Sequence, residues 1–576
     1  MITKTWRTSE RKYGIFVERD VSIQMNDGIH LDCDIFRPDG REKYPAILGV
    51  HAFDKFQQSA PSMPQGFERI NGSIEAGDSN FFVRRGYGHV IANVRGTGRS
   101  EGDFLGYGAQ EAKDTYEIIE WIARQPWCDG NVGMFGVSYF AISQLQVAAL
   151  NPPHLKTIFA PFGYTDFYRD KCYHGGILSH AFLTGWANRI FKKTADYRTN
   201  PKFSFWTKEK LGHPRVQEMI ENALQDKEIR AIPTLVEALK NPEREANPII
   251  VDVLLNRFDG EYYQERNVKH EKIKVPAYLG ACWGNYGLHL PGAFRTWENT
   301  KAPKKMVIGP PLYLDRPLYQ YQYESLRWFD HWLKGIENGI MNEPPVRLFV
   351  MGADEWKSGD DWPLPETKWT PFYLHSKGLL SEHEFWPNES SSSFEDNLYN
   401  QRGGLTFLSP PLVEKTEVIG PITLTLYAST TADEVLWFVS LLDVNPAGEE
   451  RLLTRGWLRG SQREMDSKRS KPWEPFHLHT KREPLKPGEI YEFNLKILPT
   501  ANLFKPGHRI GLRVRCADDE KPKTSLEAIG QGHLWSQTPS WITVFHDSDH
   551  PSCLLLPITR GNIIGTFISG GNIPVR

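Results

Sequence analysis

Apolar and polar positions along this chain follow three different rhythms. From about residue 14 to 37 they alternate singly around Asn26-Asp27-Gly28, the pattern of a β-hairpin closed by an Asp-Gly turn. Apolar runs at 44–50 and 87–94 suit buried strands, and 111–124 has helical spacing with Tyr116, Ile119 and Ile122 on one side. A run at 130–135, an apolar segment at 142–150 and a strand at 155–159 follow. Strand and helix take turns here, as they do when helices cover a parallel sheet.

From about 162 to 272 that alternation stops. Helix-forming runs at 216–224 and 232–239 are interleaved with Trp186, Tyr197, Phe205 and Trp206, which predicts a helical cap inserted over the sheet. Strand patterns return at 275–282 and 305–308, each leading into a loop, and 318–334 reads as a helix. Beyond 345, alternating runs at 346–350, 422–427, 436–442, 491–497 and 510–515 lie between Pro/Gly turns. They predict an all-β sandwich of jelly-roll type. Residues 390–393, within a polar stretch, read as a mobile surface loop. The expected division is a core of 1–161 and 273–344, a cap of 162–272 and a β-sandwich of 345–576.

The stretch Gly133-Met134-Phe135-Gly136-Val137-Ser138-Tyr139 has the form of a nucleophile elbow. On such a strand-to-helix corner the hydroxyl of Ser138 stands above the carboxyl edge of the sheet. Gly136 lets the corner close, and the N–H of Tyr139 points where an oxyanion forms. Its position after the 111–124 helix makes the core an α/β hydrolase fold.

Composition narrows the partners. A net charge of −2 without a basic block argues against nucleic acid. The N-terminal residues have no apolar signal core and no run is long enough to span a bilayer, so a cytoplasmic protein without membrane attachment is expected. Six scattered cysteines without a CxxC pair predict buried thiols and neither disulfides nor a metal site. No cofactor is expected; the partner is a small-molecule substrate, and a homodimer stays open as an assembly.

The elbow resembles that of the X-Pro dipeptidyl-peptidase and cocaine esterase family, as do Ala92-Asn93-Val94-Arg95-Gly96-Thr97-Gly98 and Gln125-Pro126-Trp127-Cys128-Asp129-Gly130-Asn131-Val132-Gly133. The likeness continues through Trp328-Phe329-Asp330-His331-Trp332, Met351-Gly352-Ala353-Asp354-Glu355-Trp356 and Gly507-His508-Arg509. It implies an α/β-hydrolase domain, a helical cap and a C-terminal jelly roll, with Ser138 as the nucleophile. The departures from the family pattern are as informative. The resemblance implies an oxyanion tyrosine where this chain has Phe53. It implies an acid in the loop Gly280-Ala281-Cys282-Trp283-Gly284-Asn285-Tyr286-Gly287, where Asn285 or Gly287 stands. It implies a histidine after Gly309-Pro310, where Tyr313 stands. A tyrosine with an ordinary pKa of about 10 is a poor base at neutral pH.

His289, just past the acid loop, is the leading substitute base, although a loop-capping role fits the same position. His51 beside the oxyanion loop and His174 at the opening of the cap are further candidates for the pocket, with Trp283 and Phe53 as aromatic lining. Asp315 and Arg316 are expected to pair locally, and Asp330 and His331 to be structural. Three functions are compatible with these residues. The first is a serine-hydrolase-like enzyme acting on an acyl, ester or amide group of a small, largely apolar substrate. The second is a lyase, isomerase or cyclase using Ser138 and Tyr313 as proton or hydrogen-bond donors. The third is a catalytically silent ligand-binding protein.

Overall fold

The computed structural model describes residues 6–52, 55, 75–104, 106–187, 206–245, 248–311, 317–384, 386, 388–397, 403–518 and 532–561. Its first half is built on strands β1 (Ile15–Gln24), β2 (His30–Pro38), β3 (Tyr44–His51), β4 (Gly88–Asn93), β5 (Cys128–Phe135) and β6 (Leu155–Pro161). A small ribbon of β7 (Tyr173–His174) and β8 (Ile177–Leu178) follows, then β9 (Ala277–Cys282), β10 (Lys304–Gly309), β11 (Val346–Val350) and β12 (Glu355–Gly359). One sheet joins them in the order β1-β2-β4-β3-β5-β6-β9-β10-β11-β12. The strands from β4 to β11 run parallel, and the hairpin β1–β2 and strand β12 lie antiparallel at the two edges. Every residue of β3 and β4 is buried, as expected of a parallel sheet covered on both faces. Helix Tyr139–Ala148 packs on β3 and β6, and helix Pro317–Lys334 on β5 and β6. Between the sheet and the second of these helices lies a cluster including Phe82, Phe135, Phe159, Tyr278, Trp328 and Phe329.

The alternation-based boundary at 345 needs correcting. Val346–Val350, read from sequence as part of the β-sandwich, pairs in parallel with β10 and extends the hydrolase sheet. Period-2 burial marks an amphipathic strand without revealing which sheet will accept it.

The segment between β6 and β9 is largely helical, as the loss of alternation implied. It contains helices Pro214–Gln225, Pro233–Lys240 and Pro248–Leu255 among shorter turns. Helix Pro214–Gln225 begins with proline at its first turn, where a missing N–H costs nothing.

The remaining strands are β13 (Lys368–His375), β14 (Leu379–Ser381), β15 (Ser391–Asp396), β16 (Leu405–Leu408), β17 (Thr416–Thr430), β18 (Leu436–Val444), β19 (Glu450–Arg459), β20 (Tyr491–Phe504), β21 (Arg509–Arg515), β22 (Ser540–Phe545) and β23 (Cys553–Arg560). Their order is β15-β22-β17-β20-β19-β18-β21-β16-β14-β13-β23, and β23 also pairs with β17. That last pairing closes the strands from β17 to β23 into a barrel-like ring, with β22 and β15 appended. Residues 391–393, expected as a loop, form the start of β15 against β22. Their serines face a partly exposed edge, which explains the polar composition. All six cysteines carry free thiols.

Cap and β domain are tied together. The backbone N–H of Arg459 donates to Gly175 O at 2.8 Å, and its guanidinium bonds Glu228 of the cap at 2.5 Å and Glu434 at 3.3 Å. Gly175 has no room for a Cβ, because the backbone of Trp457 lies against it.

Candidate active site

Ser138 stands between β5 and helix Tyr139–Ala148 with φ 58° and ψ −117°. A non-glycine residue held there stores strain, and the geometry is that of a nucleophile elbow. Gly136, two residues earlier, has φ 140°, and a Cβ on it would strike Phe140 and Glu75 O. Ser138 is half-buried in an otherwise buried stretch, and among the described residues its Oγ has no hydrogen-bond partner. The N–H of Tyr139 belongs to the first turn of the helix, whose N–H groups find no carbonyl within the helix. The Tyr139 ring is anchored by its hydroxyl, which donates to Glu111 Oε2 at 2.5 Å, and by stacking on Tyr107 at 4.2 Å.

The loop after β9 carries the next group. Asn285 O accepts from His289 N at 3.2 Å and from Leu290 N at 3.0 Å, so the loop winds into helix Leu290–Asn299 with His289 at its start. Asn285 and His289 therefore stand four residues apart on one helical turn, where side chains are neighbours. Both are buried, and among the described residues Asn285 Oδ1 and His289 Nδ1 each lack a hydrogen-bond partner. The imidazole lies beside Phe162 and Tyr164, at centroid distances of 6.1 and 6.3 Å. Burial, and after it the charge of Lys171, pushes His289 down to about 3, so the ring is neutral at neutral pH. In the sheet, only β6 separates β5 from β9, which brings the elbow and this loop to the same carboxyl edge. No hydrogen bond joins Ser138 Oγ to a described imidazole, and no described carboxylate bonds to His289.

The other sequence candidates fall elsewhere. His51 ends β3 and stacks on Phe140 at 4.5 Å beneath the elbow helix, and burial pushes it down to about 3. Both nitrogens of His174 are engaged. Nδ1 lies 2.8 Å from His533 Nε2, and Nε2 lies 3.2 Å from Asp170 O. His533 in turn bonds Asp518, at 3.1 Å. His174 thus ties the segment after β6 to the β domain, and it stacks on Trp457 at 4.7 Å. Trp283 is likewise packing, since its indole N–H donates to Phe349 O at 2.6 Å and fastens the acid loop to β11. Asp330 accepts from Tyr87 OH at 2.6 Å and from the Ser9 backbone, the structural role expected of it. Phe53, Tyr313, Asp315 and Arg316 lie outside the described residues.

Sequence reading missed Lys171, Glu111 and Lys55. Lys171 is fully buried beside Tyr107 and Tyr164. Glu111 sits beneath Tyr139, and burial pushes it up to about 7. Lys55 Nζ, two positions past the oxyanion-loop site, bonds Asp20 and Asp34 at 2.6 Å each, and its backbone N–H donates to Asn93 Oδ1 at 2.8 Å. A charged residue inside an apolar helix face was the available signal for Glu111; nothing in the local pattern marks the other two.

Comparison with known proteins agrees with this geometry. Residues 27–311 match the model of the X-Pro dipeptidyl-peptidase S15 family. Residues 338–552 match that of the X-Pro dipeptidyl-peptidase C-terminal non-catalytic domain. The chain is 28% identical to the cocaine esterase of Rhodococcus sp. (strain MB1 Bresler), over 94% of this chain and 99% of that protein. Among solved structures, a CocE/NonD family hydrolase from Staphylococcus aureus superposes with a TM-score of 0.77 at 25% identity, covering 97% of this chain and 99% of that one. An α-amino acid ester hydrolase shares the fold, with a TM-score of 0.73 at 19% identity, covering 97% and 99%. The strained serine corner, the capped parallel sheet and the appended β domain thus have one common explanation: the chain belongs to the X-Pro dipeptidyl-peptidase (S15) family of serine hydrolases.

Proposed function

We propose that the protein cleaves an ester or amide of a small, largely apolar substrate through an acyl-enzyme on Ser138. The observation that carries this reading is the elbow itself: a serine at φ 58° on the carboxyl edge, with an Oγ that no described group holds. Ser138 Oγ attacks the acyl carbon and the Tyr139 N–H receives the developing oxyanion charge. His289 takes the serine proton and returns it to the leaving group. Asn285, on the same turn, is the candidate orienting partner; its Oδ1 and the His289 Nδ1 are both unpaired among the described residues and are not bonded to each other. An amide supplies a dipole and not a charge, so the imidazolium is weakly supported and the reaction slow. A jelly-roll description of the β domain belongs to the same reading and rests on its closed ring of strands, antiparallel except where β14 meets β16.

A fluorophosphonate probe tests the proposal. Wild type should be labelled on Ser138, S138A should not, and H289A should label at least tenfold more slowly. Labelling that is absent in folded wild type overturns the nucleophile assignment; labelling indifferent to H289A overturns the base.

The lack of any described carboxylate on His289 also supports a second reading, in which Ser138 and Tyr313 donate protons or hydrogen bonds in a non-hydrolytic reaction. Turnover without any covalent labelling of Ser138 distinguishes it.

A further inference from the structure

Lys171 lies on the turn Phe167–Cys172, which follows β6 on the carboxyl edge. Its ammonium nitrogen is buried with no carboxylate in salt-bridge range among the described residues; its one hydrogen bond is to Tyr164 OH at 3.4 Å. Aromatic rings enclose the rest: Tyr107 at 4.2 Å, Phe167 at 4.6 Å, Tyr164 at 5.3 Å and Phe182 at 5.8 Å from the nitrogen. The box adjoins the proposed site on both sides. Tyr107 stacks on Tyr139, the residue after the nucleophile, and Tyr164 packs near His289, whose titration responds to the Lys171 charge. Arg266 places a second positive charge in the neighbourhood. Against them stands Glu111, whose carboxyl already accepts from Tyr139 OH and from Tyr107 N.

A buried ammonium without a counter-ion is costly, and its ordinary remedy is a carboxylate. Among the described residues none bonds it, and Glu111 acts on it only from a distance. We infer that Lys171 selects substrate by charge: it receives a carboxylate borne by the acyl portion, so that the preferred substrate is an aliphatic ester with an acidic group at its far end. This deepens the proposed hydrolytic reading and rests on it. A carboxylate meeting Lys171 forms a charge-assisted bond in a dry, aromatic-walled space, where such a bond is strongest. A cationic substrate end would face like charge there. Without an anion, burial holds the Lys171 amine down at about 7. An arriving carboxylate favours the charged form, so binding near pH 8 must draw a proton from solution. The titratable and charged groups around the amine are Glu111, Arg266, Cys172, His289 and the phenols of Tyr107 and Tyr164.

The test uses the full-length protein, three p-nitrophenyl esters of equal chain length and free adipate. The esters are the mono-adipate, the hexanoate and the 6-aminohexanoate. Wild type should prefer the mono-adipate over the 6-aminohexanoate by about a hundredfold in kcat/KM. K171M, similar in shape, should lower kcat/KM for the mono-adipate about tenfold or more through KM, and leave the hexanoate within about threefold. Adipate, and not 1,6-hexanediol, should raise the melting temperature of wild type and of S138A but not of K171M. Titration calorimetry in two buffers at pH 8 should show close to one proton taken up per adipate bound. An adipate shift unchanged in K171M, or absent from wild type, overturns the assignment. So does a fall in kcat on all three esters alike, which would place Lys171 on the reacting atoms. Adipate binding to S138A together with undiminished ester turnover in S138A would leave Lys171 standing and fail Ser138 instead.

Discussion

The hydroxyl of Tyr139 donates to Glu111 Oε2 at 2.5 Å, linking the residue after the nucleophile to the helix before the elbow strand. Glu111 also accepts from the Tyr107 backbone at 2.7 Å, so one buried carboxyl holds both members of the Tyr107–Tyr139 stack. Through that stack the helix Ala109–Ala123 governs where the Tyr139 backbone, and with it the proposed oxyanion donor, can sit.

Removing the acceptor should therefore affect both stability and chemistry. E111L leaves two buried donors unpaired, each costing about 1–3 kcal/mol. A lowered thermal midpoint is expected, together with slower fluorophosphonate labelling of Ser138. E111Q, which keeps an acceptor oxygen, should recover most of the midpoint.

Restoring a charge beneath the imidazole should improve the proposed base. N285D places a carboxylate on the turn of His289, stabilises the imidazolium and raises the ring's pKa from about 3. The expected result is a rise in kcat/KM of about tenfold or more, with the acidic limb of the pH–rate profile moved to higher pH. A profile that does not move would disconnect Asn285 from His289.

Gly136 tests the elbow. With φ 140° and no space for a Cβ, G136A should shift the corner against Phe140 and abolish labelling of Ser138. The β domain should keep its own protease resistance.

Arg459 carries the junction between cap and β domain. R459M removes the cation that Glu228 bonds, while Glu434 keeps Ser461 and Arg482, and breaking a buried pair in this way costs about 3–5 kcal/mol. Limited proteolysis should cut first within the cap, at a rate at least tenfold above wild type.

Stability should climb from pH 4 to about 6.5. Burial depresses nine histidines: His51, His174, His270, His289 and His477 to about 3, His89 and His180 to about 4, and His479 and His546 below the ordinary value as well. A depressed imidazole contributes stability that is present above its unfolded pKa of about 6.5 and lost as pH falls towards the folded value. Burial raises seven carboxyls, Glu75 to about 8, Glu111 and Asp252 to about 7, Asp32 and Asp396 to about 6, and Asp259 and Glu298 above the ordinary carboxylate range. Their contribution is present below the unfolded carboxylate range and is lost as pH rises towards their folded values. Nine groups against seven give a modest net gain up to about pH 6.5, which urea denaturation at stepped pH will measure.

Local pattern alone determined much of this protein: the Asp-Gly hairpin, the buried parallel strands, the helical cap, the run of β elements after them, and the serine on its elbow. Those features depend on neighbours within a few residues, so periodicity and turn chemistry report them. Which sheet accepts Val346–Val350 depends instead on β10, some forty positions earlier, and only the assembled fold decided it. The same holds for histidine. His174 and His289 look alike in sequence, yet one meets His533 from the β domain and the other meets no partner at Nδ1. Lys171 reads as an ordinary surface lysine until Tyr107, Tyr164, Phe167 and Phe182 close around it from separate segments. Burial, charge and partnership are properties of surroundings brought together from afar, and tertiary structure alone sets them.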